Sequence, residues 1–233
     1  MNKTEFISAL KELNIDVKDD ILEKLDTYYK MLIEYNSHTN LTRIIEEKEV
    51  YLKHFYDSVT LVKSVNLDNK TLLDVGTGAG FPGLVLKIVF PSLNVTLVDS
   101  LNKRIIFLNS VIEKLNLENI VAIHARAEDY AKENKEKYDI VTSRAVANLN
   151  MLSEFCIPLV KVGGYFIPMK AEVEIEINDA KKAIKTLGGV LKETIVFSLP
   201  QGAGIRTLLK IEKVSKTSSK YPRKFNEIKK KPL

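Results

Sequence analysis

Apolar residues in the first part of the chain recur at the spacing of amphipathic helices. Leu22, Leu25 and Leu32 fall on one helical face, and Asn2 followed by Glu5 can form a capping box at an earlier helix start. We therefore predict a helical N-terminal lobe over residues 1–70. Its three helices are expected to end near Leu13, to run from about Asp20 to Ile33, and to span Glu46 to about Ser64.

From Thr71 onward, short apolar runs alternate with amphipathic segments. This alternation predicts a parallel sheet with helices on both faces, and the last two runs, joined only by a loop, predict an antiparallel pair. The seven strands are predicted at 71–75, 94–100, 119–125, 138–143, 165–169, 190–199 and 206–214. Three helices between them are predicted at 82–90, at 103–115 and at 172–187. A further helix is predicted after the fourth strand as far as about Val160, with Gly163 and Gly164 breaking it.

Composition narrows the class of protein. The chain has 233 residues, of which 45% are hydrophobic and 28% charged, as expected for a globular protein with a real core. A single cysteine, Cys156, excludes an internal disulfide framework, and the widely spaced His38, His54 and His124 offer no metal-ligand pair. The chain has no run of about 18 apolar residues, so no membrane span is predicted, and the N-terminus lacks an apolar signal core. We expect a cytoplasmic protein.

The positive charge is concentrated at one end. Residues 210–233 hold nine Lys or Arg against two Glu, a net +7, so the rest of the chain sums to −2. Residues 71–213 would then form the sheet domain and residues 214–233 a basic tail. Such a tail is typical either of an arm for a polyanion, RNA being the commonest, or of a solvated, disordered segment. Charge alone leaves both interpretations open.

A glycine-rich loop follows the first strand. A nicotinamide-binding fingerprint needs glycine at the sixth loop position, where this chain has Phe81. Instead, Asp74 stands two residues before Gly76, Gly78 and Gly80, the pattern of Rossmann-like methyltransferases that use S-adenosylmethionine (SAM). A carboxylate at the loop edge suits the cationic sulfonium and ammonium groups of SAM. The glycines would remove Cβ atoms that block close approach of the ligand.

The second and third strand ends add two candidate contacts for the cofactor. Asp99, followed by Ser100, ends the second strand, where a carboxylate can accept hydrogen bonds from both ribose hydroxyls. Its alternative roles are an exposed strand-end residue or a helix N-cap. The third strand leads into a loop that would lie beside the adenine. Ala127 would give a small contact there, and Glu128 or backbone groups would read the ring edge.

The fourth strand end should meet the methyl acceptor. The chain has Thr142-Ser143-Arg144-Ala145 there, without the Asn/Asp-Pro-Pro-aromatic motif of enzymes that methylate exocyclic amines. Cys156 is better interpreted as a buried core thiol than as the nucleophile of a pyrimidine C5 enzyme. With no obvious general base, an acceptor that already has a free lone pair fits best, such as guanine N7. Arg144 could then bind the base or a phosphate, its alternative role being a surface salt bridge.

These motifs together resemble the RsmG (GidB) family, the bacterial small-subunit ribosomal RNA guanine-N7 methyltransferases, over nearly the whole chain. The chain departs from the family at Ala171, where glycine is usual, and at 224–227, where a proline-glycine stretch is usual. The matching segments are Asn40-Leu41-Thr42, His54-Phe55-Tyr56-Asp57-Ser58, DVGTGAGFPGL (74–84), LVDSLNKRIIFL (97–108), HARAED (124–129), TSRAVANL (142–149), IPMKA (167–171), Tyr221-Pro222-Arg223 and KKKPL (229–233).

The resemblance implies a fold, a cofactor and a substrate. The fold is an α/β, Rossmann-like class I SAM-dependent methyltransferase with a mostly parallel seven-stranded sheet, and the substrate is 16S ribosomal RNA or the small ribosomal subunit. The implied SAM site is lined by Gly76, Phe81, Asp99, Ala127, Glu128 and Arg144. The basic residues implied to face RNA are Lys103, Arg104, Arg144, Lys170 and Arg223, of which Arg144, Lys170 and Lys103 are the candidates for catalysis. We expect a monomer without a metal ion.

His54, Asp57 and Ser58 share one face of the third predicted helix. They could line the SAM pocket or form a hydrogen-bond network that fixes the lobe to the sheet domain, and we favour these roles over catalysis. Two rival functions are also open from the sequence. A methyltransferase for a small molecule or protein would leave the basic tail unexplained, and a non-catalytic module that binds SAM or RNA would leave the complete set of site motifs unexplained.

Overall fold

The computed structural model describes residues 1–144, 147–171 and 173–233. Helices α1 (Lys3–Glu12) and α2 (Asp19–Thr39) open the chain. The predicted capping box is present, because the Asn2 side chain accepts a hydrogen bond from the Glu5 amide and the Glu5 carboxylate accepts one from the Asn2 amide. Helix α2 ends at Thr39, and the capping residue Asn40 adopts a left-handed conformation.

The third predicted helix is confirmed as one continuous helical segment of changing pitch. It begins with α3 (Glu47–Val50), widens into a π-helical stretch at Tyr51–Tyr56, continues as α4 (Asp57–Val59) and tightens into a 3₁₀ turn at Thr60–Lys63. A π-helical stretch changes the direction of the side chains that follow it and often marks a functional site. Here it carries Lys53 and His54, and Asp57 follows directly.

The sheet has seven strands in the order β3-β2-β1-β4-β5-β7-β6. Strands β1 to β5 are parallel, whereas β7 runs antiparallel to both β5 and β6, as the sequence predicts. The carboxyl ends of β2, β1 and β4 therefore lie side by side at one edge. The strands are β1 (Thr71–Val75), β2 (Asn94–Asp99), β3 (Ile120–His124), β4 (Tyr138–Arg144), β5 (Val160–Lys170), β6 (Gly189–Ser198) and β7 (Ile205–Lys213).

Helices cover both faces of this sheet. On one face, Tyr28, Phe55 and Phe107 join the N-terminal helices to the sheet domain in a single apolar cluster. On the other face, Phe155 and Tyr221 belong to a second cluster, which includes residues of the C-terminal segment. The helices of the sheet domain are α5 (Gly83–Val89), α6 (Asn102–Lys114), α7 (Ala127–Glu133), α8 (Leu149–Cys156) and α9 (Glu174–Thr186). No helix in the described ranges is long and apolar enough to cross a membrane.

The predicted boundary between the helix after the fourth strand and the fifth strand is wrong. Helix α8 ends at Cys156, a 3₁₀ turn follows, and β5 already begins at Val160. The two glycines that were expected to end a helix lie inside this strand. Gly163 has a φ of +88°, and a Cβ atom on Gly164 would come within 2.6 Å of the Asp139 carbonyl oxygen. Glycine is needed there because β5 passes very close to β4.

Two further expectations from the sequence need correction, and a third falls outside the described residues. Residues 126–129, expected as a loop, lead directly into α7, which begins at Ala127. The predicted start of the helix before the last strand pair, Glu172, lies outside the described residues, and α9 begins at Glu174. The C-terminal segment is not a disordered tail: it packs on the domain and forms helix α10 (Phe225–Lys230), with Tyr221 and Ile228 buried.

Candidate functional site

The glycine loop runs from Gly76 to Phe81 at the carboxyl end of β1. Gly76 and Gly78 have φ values of +71° and +62°, and the Gly76 amide donates a hydrogen bond to the Val98 carbonyl at 2.8 Å. A Cβ atom built on Gly78 would meet nothing within 4 Å, so it would project into open space. The loop therefore presents bare backbone to a cavity at this position, as a close-fitting ligand requires.

Gly80 has a different role from the predicted one. A Cβ atom there would lie 2.7 Å from the Tyr28 hydroxyl oxygen and 2.8 Å from Cβ of Leu84. The same Tyr28 hydroxyl donates a hydrogen bond to the Ala79 carbonyl. Glycine at position 80 therefore lets the helical lobe pack against the loop, rather than letting a ligand approach.

Asp74 organises the loop from its buried side. Its Oδ2 accepts hydrogen bonds from the Thr77 hydroxyl at 2.7 Å and from the Gly83 amide at 2.9 Å. Its Oδ1 has no partner among the described residues, and burial raises the pKa of this carboxyl to about 6. The residue is completely buried, so the carboxylate does not stand at an open loop edge as the sequence suggested.

Asp99 links the loop to helix α6. Its Oδ2 accepts hydrogen bonds from the Gly78 amide at 2.9 Å and from Nη1 of Arg104 at 3.0 Å, while Oδ1 accepts one from the Leu101 amide at 2.9 Å. A carboxylate has about four acceptor positions, so these three bonds leave capacity for a further donor. The residue is 2% exposed, which excludes the exposed strand-end alternative.

Arg144, at the end of β4, is held by the helical lobe. Its Nη1 donates to Oδ2 of Asp57 at 2.9 Å and to the Lys53 carbonyl at 3.1 Å, and its Nη2 lies 3.2 Å from Nδ1 of His54. The guanidinium carbon also lies 5.1 Å from the centre of the Phe81 ring. The predicted alternative of a surface salt bridge is wrong, because Asp57 is buried.

Of the polar residues predicted to share a face of the third helix, His54 faces the cavity and Ser58 does not. His54 stacks on Phe81, with ring centres 4.3 Å apart, and burial together with the nearby Arg144 charge lowers its pKa to about 3. It is therefore neutral at physiological pH. Ser58 is fully buried and donates to the His54 carbonyl at 2.6 Å, so its hydroxyl is satisfied within the helix and does not face the cavity.

These groups surround a cavity of about 390 Å³ at the carboxyl ends of β1, β2 and β4. It brings together most of the predicted cofactor residues with His54, for which the sequence left a place in the SAM pocket open, and adds Leu41 and Thr42 from the helical lobe. Only the quoted family segment Asn40-Leu41-Thr42 could have pointed to these two additions. The lining residues are Leu41, Thr42, His54, Gly76, Thr77, Gly78, Ala79, Phe81, Asp99, Ser100, Arg104 and Arg144.

Ala127 and Glu128 lie in the first turn of α7, outside the lining of that cavity. Glu128 is 4% exposed and borders a second cavity, of about 380 Å³. Lys224, Phe225 and Asn226 of the C-terminal segment also line this second cavity. The contact of these two residues, Ala127 and Glu128, with the adenine therefore stays a prediction.

The basic residues predicted to face RNA all have acceptors within the chain. Nζ of Lys103 donates to the Thr39 carbonyl at 2.7 Å, and Nζ of Lys170 donates to the Ala147 carbonyl at 2.7 Å and to Glu176 at 2.6 Å. Neither lysine lines the larger cavity.

Arg223 and Cys156 complete the predicted set. The Arg223 guanidinium pairs with the fully buried carboxylate of Glu154, Nη2 to Oε2 at 2.7 Å. This contact anchors the C-terminal segment, and it differs from the expected contact with RNA. Cys156 is buried, and burial raises the pKa of its thiol well above the usual value, as expected for a core thiol.

Comparison with solved structures supports the fold. A SAM-dependent methyltransferase from Aquifex aeolicus superposes with a TM-score of 0.53, is 17% identical, and covers 74% of this chain and 97% of its own. A 16S rRNA (adenine(1408)-N(1))-methyltransferase from Catenulisporales acidiphilia gives 0.53 and 15% identity, with coverage of 69% and 93%. The predicted Rossmann-like methyltransferase fold is confirmed.

Comparison at the level of sequence is more specific. The family model of GidB, described as rRNA small subunit methyltransferase G, matches residues 21–203. Proteins named ribosomal RNA small subunit methyltransferase G are 51% identical to this chain in both Lachnoclostridium phytofermentans and Bacillus subtilis (strain 168). Each alignment covers 100% of this chain, with 98% and 99% of the respective relative. The predicted resemblance is therefore confirmed, and the chain belongs to the GidB family of ribosomal RNA small subunit methyltransferases.

Proposed function

We propose that this chain transfers the methyl group of SAM to N7 of a guanine in 16S ribosomal RNA. Membership of the GidB family makes the chain a SAM-dependent ribosomal RNA methyltransferase. The choice of a guanine N7 acceptor rests on one observation, which is the absence of a free base among the described residues that line the larger cavity.

Two groups in that lining could in principle accept a proton. His54 is neutral, but the pKa near 3 makes it a very weak base, and its Nδ1 already faces Nη2 of Arg144. Asp99 already accepts three hydrogen bonds. An amine or hydroxyl acceptor would have to lose a proton during methylation, whereas guanine N7 offers its lone pair directly. The cavity therefore suits an acceptor that needs only orientation and exclusion of water.

The cavity also suits SAM, which when bound supplies the electrophilic methyl group. Gly78 leaves open space where a side chain would otherwise project, and Asp99 retains acceptor capacity for a ribose hydroxyl. Phe81, with His54 stacked on it, provides a flat, largely apolar wall. The buried and unpartnered Oδ1 of Asp74 adds negative potential beneath the loop, which suits a cationic ligand.

In this proposal Arg144 orients the acceptor. Asp57, the Lys53 carbonyl and His54 take three of its five N–H donors, so they fix the guanidinium while Nε–H and one Nη2–H remain for a ligand. Those donors can bind guanine O6 or a phosphate without occupying N7. Because misorientation at the reacting centre lowers the rate itself, loss of Arg144 should reduce turnover even at saturating RNA.

The direct test is chemical mapping of the methylated base. 16S ribosomal RNA from cells with and without this protein is treated with borohydride and aniline, which cleave at N7-methylguanine, and is then read by primer extension. The proposal predicts one stop that depends on the protein and returns when the purified protein and SAM are added to RNA lacking the mark. A protein-dependent methyl group at another atom or on another RNA would contradict it.

Three finer points belong to the same proposal. The purified protein should be compared on naked 16S ribosomal RNA, an assembly intermediate and the whole small subunit, since each is a possible form of the substrate. We infer a monomer that acts in the cytoplasm, with a helical lobe at 1–70 and a sheet domain at 71–213. Light scattering and cell fractionation test the first two inferences, and limited proteolysis tests the boundaries.

A further inference from the structure

Thr42 lies in the segment between α2 and α3 and lines the larger cavity together with the glycine loop. The segment is held in place at this residue, because the Thr42 amide donates a hydrogen bond to Oδ1 of Asn36 at 2.8 Å. Beside it, Leu41 is only 8% exposed. The Thr42 side chain is thus presented to the cavity by a fixed backbone.

The hydrogen bond between Thr42 and His54 has a defined direction. Arg144 has only donors, so Nδ1 of His54, 3.2 Å from Nη2 of Arg144, must accept. His54 is neutral, so its one ring proton is on Nε2. Nε2 therefore donates to Oγ1 of Thr42, 2.9 Å away.

A second donor reaches the same oxygen. The Ile44 amide donates to Oγ1 of Thr42 at 3.1 Å. A hydroxyl has two acceptor positions and one hydrogen, so both acceptor positions are filled. No acceptor for the hydrogen is found within the described part of the chain. The Thr42 hydroxyl can therefore act toward a bound ligand only as a donor.

We propose that this hydroxyl donates a hydrogen bond to the carboxylate of the methionine part of bound SAM. This inference rests on the proposed use of the cavity for SAM. Asp99 and Ser100, at the end of β2, mark the ribose side of the cavity. Arg144 ends β4, and β1 lies between these two strands. The methionine part should therefore extend toward β4, where Thr42 is joined to Arg144 through His54.

The chemistry of that part of SAM selects the carboxylate. The sulfonium and the ammonium are cationic and accept no hydrogen bond, so the carboxylate is the acceptor available to Thr42. A hydrogen bond to a charged group is stronger than one between neutral groups. Thr42 would then be a binding residue contributed by the helical lobe, with His54 as the positioning residue that makes its hydroxyl a donor.

The test compares SAM with decarboxylated SAM, which lacks only the carboxylate, by calorimetry. Thr42→Val removes the hydroxyl at nearly constant shape, and we expect it to weaken SAM binding by roughly 5- to 30-fold. Affinity for decarboxylated SAM should change less than about twofold. Thr42→Ser keeps the hydroxyl and should bind SAM nearly as the wild type does.

Thr27→Val is the matched control, because Thr27 is also a half-buried threonine of the lobe but its hydroxyl donates to the Glu23 carbonyl, away from the cavity. It should change neither affinity. If Thr42→Val fails to fold, judged by thermal melting without ligand, Thr42→Ala takes its place. Equal weakening of both ligands, or of neither, would overturn the proposal for Thr42. Absence of SAM binding by the wild-type protein would instead defeat the proposed function.

Discussion

Asp57, in the helical lobe, holds the guanidinium of Arg144 at the carboxyl end of β4, with 2.9 Å between Oδ2 and Nη1. The other carboxylate oxygen accepts from Nε of Arg206, on β7, at 3.0 Å. Asp57 is 2% exposed, so one buried carboxylate joins the lobe to two strands of the sheet. The orientation of Arg144 therefore depends on residues outside the sheet domain.

Replacing Asp57 by Asn should impair both stability and turnover. Removing the charge leaves two arginines without their shared partner, and breaking a buried ion pair on one side costs about 3–5 kcal/mol. Because Arg144 and Arg206 are partly exposed, we expect the lower end of that range in chemical denaturation. The rate at saturating SAM and RNA should fall more than the affinity for SAM, since Arg144 loses its orientation.

Asp20→Asn is the control for this variant. Asp20 pairs with Lys24 on the surface of α2, at 56% side-chain exposure, and such pairs contribute at most about 1 kcal/mol. It should change neither the free energy of unfolding nor the rate appreciably. Wild-type turnover in a folded Asp57→Asn protein would show that Asp57 does not position Arg144.

Gly78→Ala should mainly weaken SAM binding, whereas Gly80→Ala should mainly lower stability. At Gly78 the added methyl group enters the open cavity, so we expect weaker SAM binding with a stability loss of only about 1 kcal/mol from the positive φ. At Gly80 the methyl group would meet the Tyr28 hydroxyl at 2.7 Å, so the larger loss should be in the free energy of unfolding. Calorimetry with SAM and chemical denaturation separate the two effects.

Gly202→Ala controls for the backbone strain. Gly202 has a φ of +66°, close to the +62° of Gly78, and a Cβ atom on it also meets nothing within 4 Å. It lies outside the lining of the larger cavity. The strain should therefore be similar while SAM binding is unchanged. Similar SAM affinities for Gly78→Ala and Gly202→Ala would remove the support for a cofactor beside Gly78.

The pattern of apolar residues was enough to predict all seven strands and the strand ends where Gly78, Asp99 and Arg144 meet. These predictions depend on local periodicity and on the rule that ligands bind at the carboxyl ends of parallel strands. The role of Gly80 could not be predicted, because its neighbour Tyr28 is more than 50 residues away in sequence. The same holds for Arg223, whose partner Glu154 is a buried carboxylate on α8. Long cationic side chains select partners that only the tertiary structure brings within reach.

His54 should make stability depend on pH. Its pKa is about 3 in the folded protein and ordinarily 6.5, so between these values the unfolded chain binds more protons than the native state. Stability should therefore fall as the pH decreases below 6.5, by up to about 1.4 kcal/mol per pH unit from this residue. Asp74, with a raised pKa of about 6, acts in the opposite direction between about 4 and 6.

Comparison with His54→Gln isolates the histidine contribution, because Asp74 is present in both proteins. As the pH falls from 7 to 5, the free energy of unfolding of the wild type should decrease relative to that of this variant. Urea denaturation at several pH values measures it. Two curves that remain parallel over this range would mean that His54 is not held neutral by its surroundings.

The C-terminal segment should be required for stability. Truncation after Lys220 removes Tyr221, which is 7% exposed, and Arg223, which pairs with Glu154. Glu154, which is fully buried in the complete chain, would lose the cation that pairs with it, and removing one partner of a buried ion pair costs about 3–5 kcal/mol. We therefore expect the truncated protein to melt at a much lower temperature. A melting temperature within a few degrees of the wild type would contradict the packing of this segment.

Charge in the same segment can be tested without disturbing its packing. Lys229, Lys230 and Lys231 are exposed, whereas Ile228 beside them is buried. Changing all three lysines to Gln should leave the melting temperature unchanged, and the slope of RNA affinity against salt concentration should shrink by about one unit for each lysine that binds a phosphate in the wild type. Turnover at saturating RNA should be retained, because these side chains do not line the larger cavity.

The matched control changes the exposed Lys181, Lys182 and Lys185 of α9 to Gln, with the same reduction of charge. If both triple variants reduce the slope equally, the effect is one of net charge and the segment is no RNA arm.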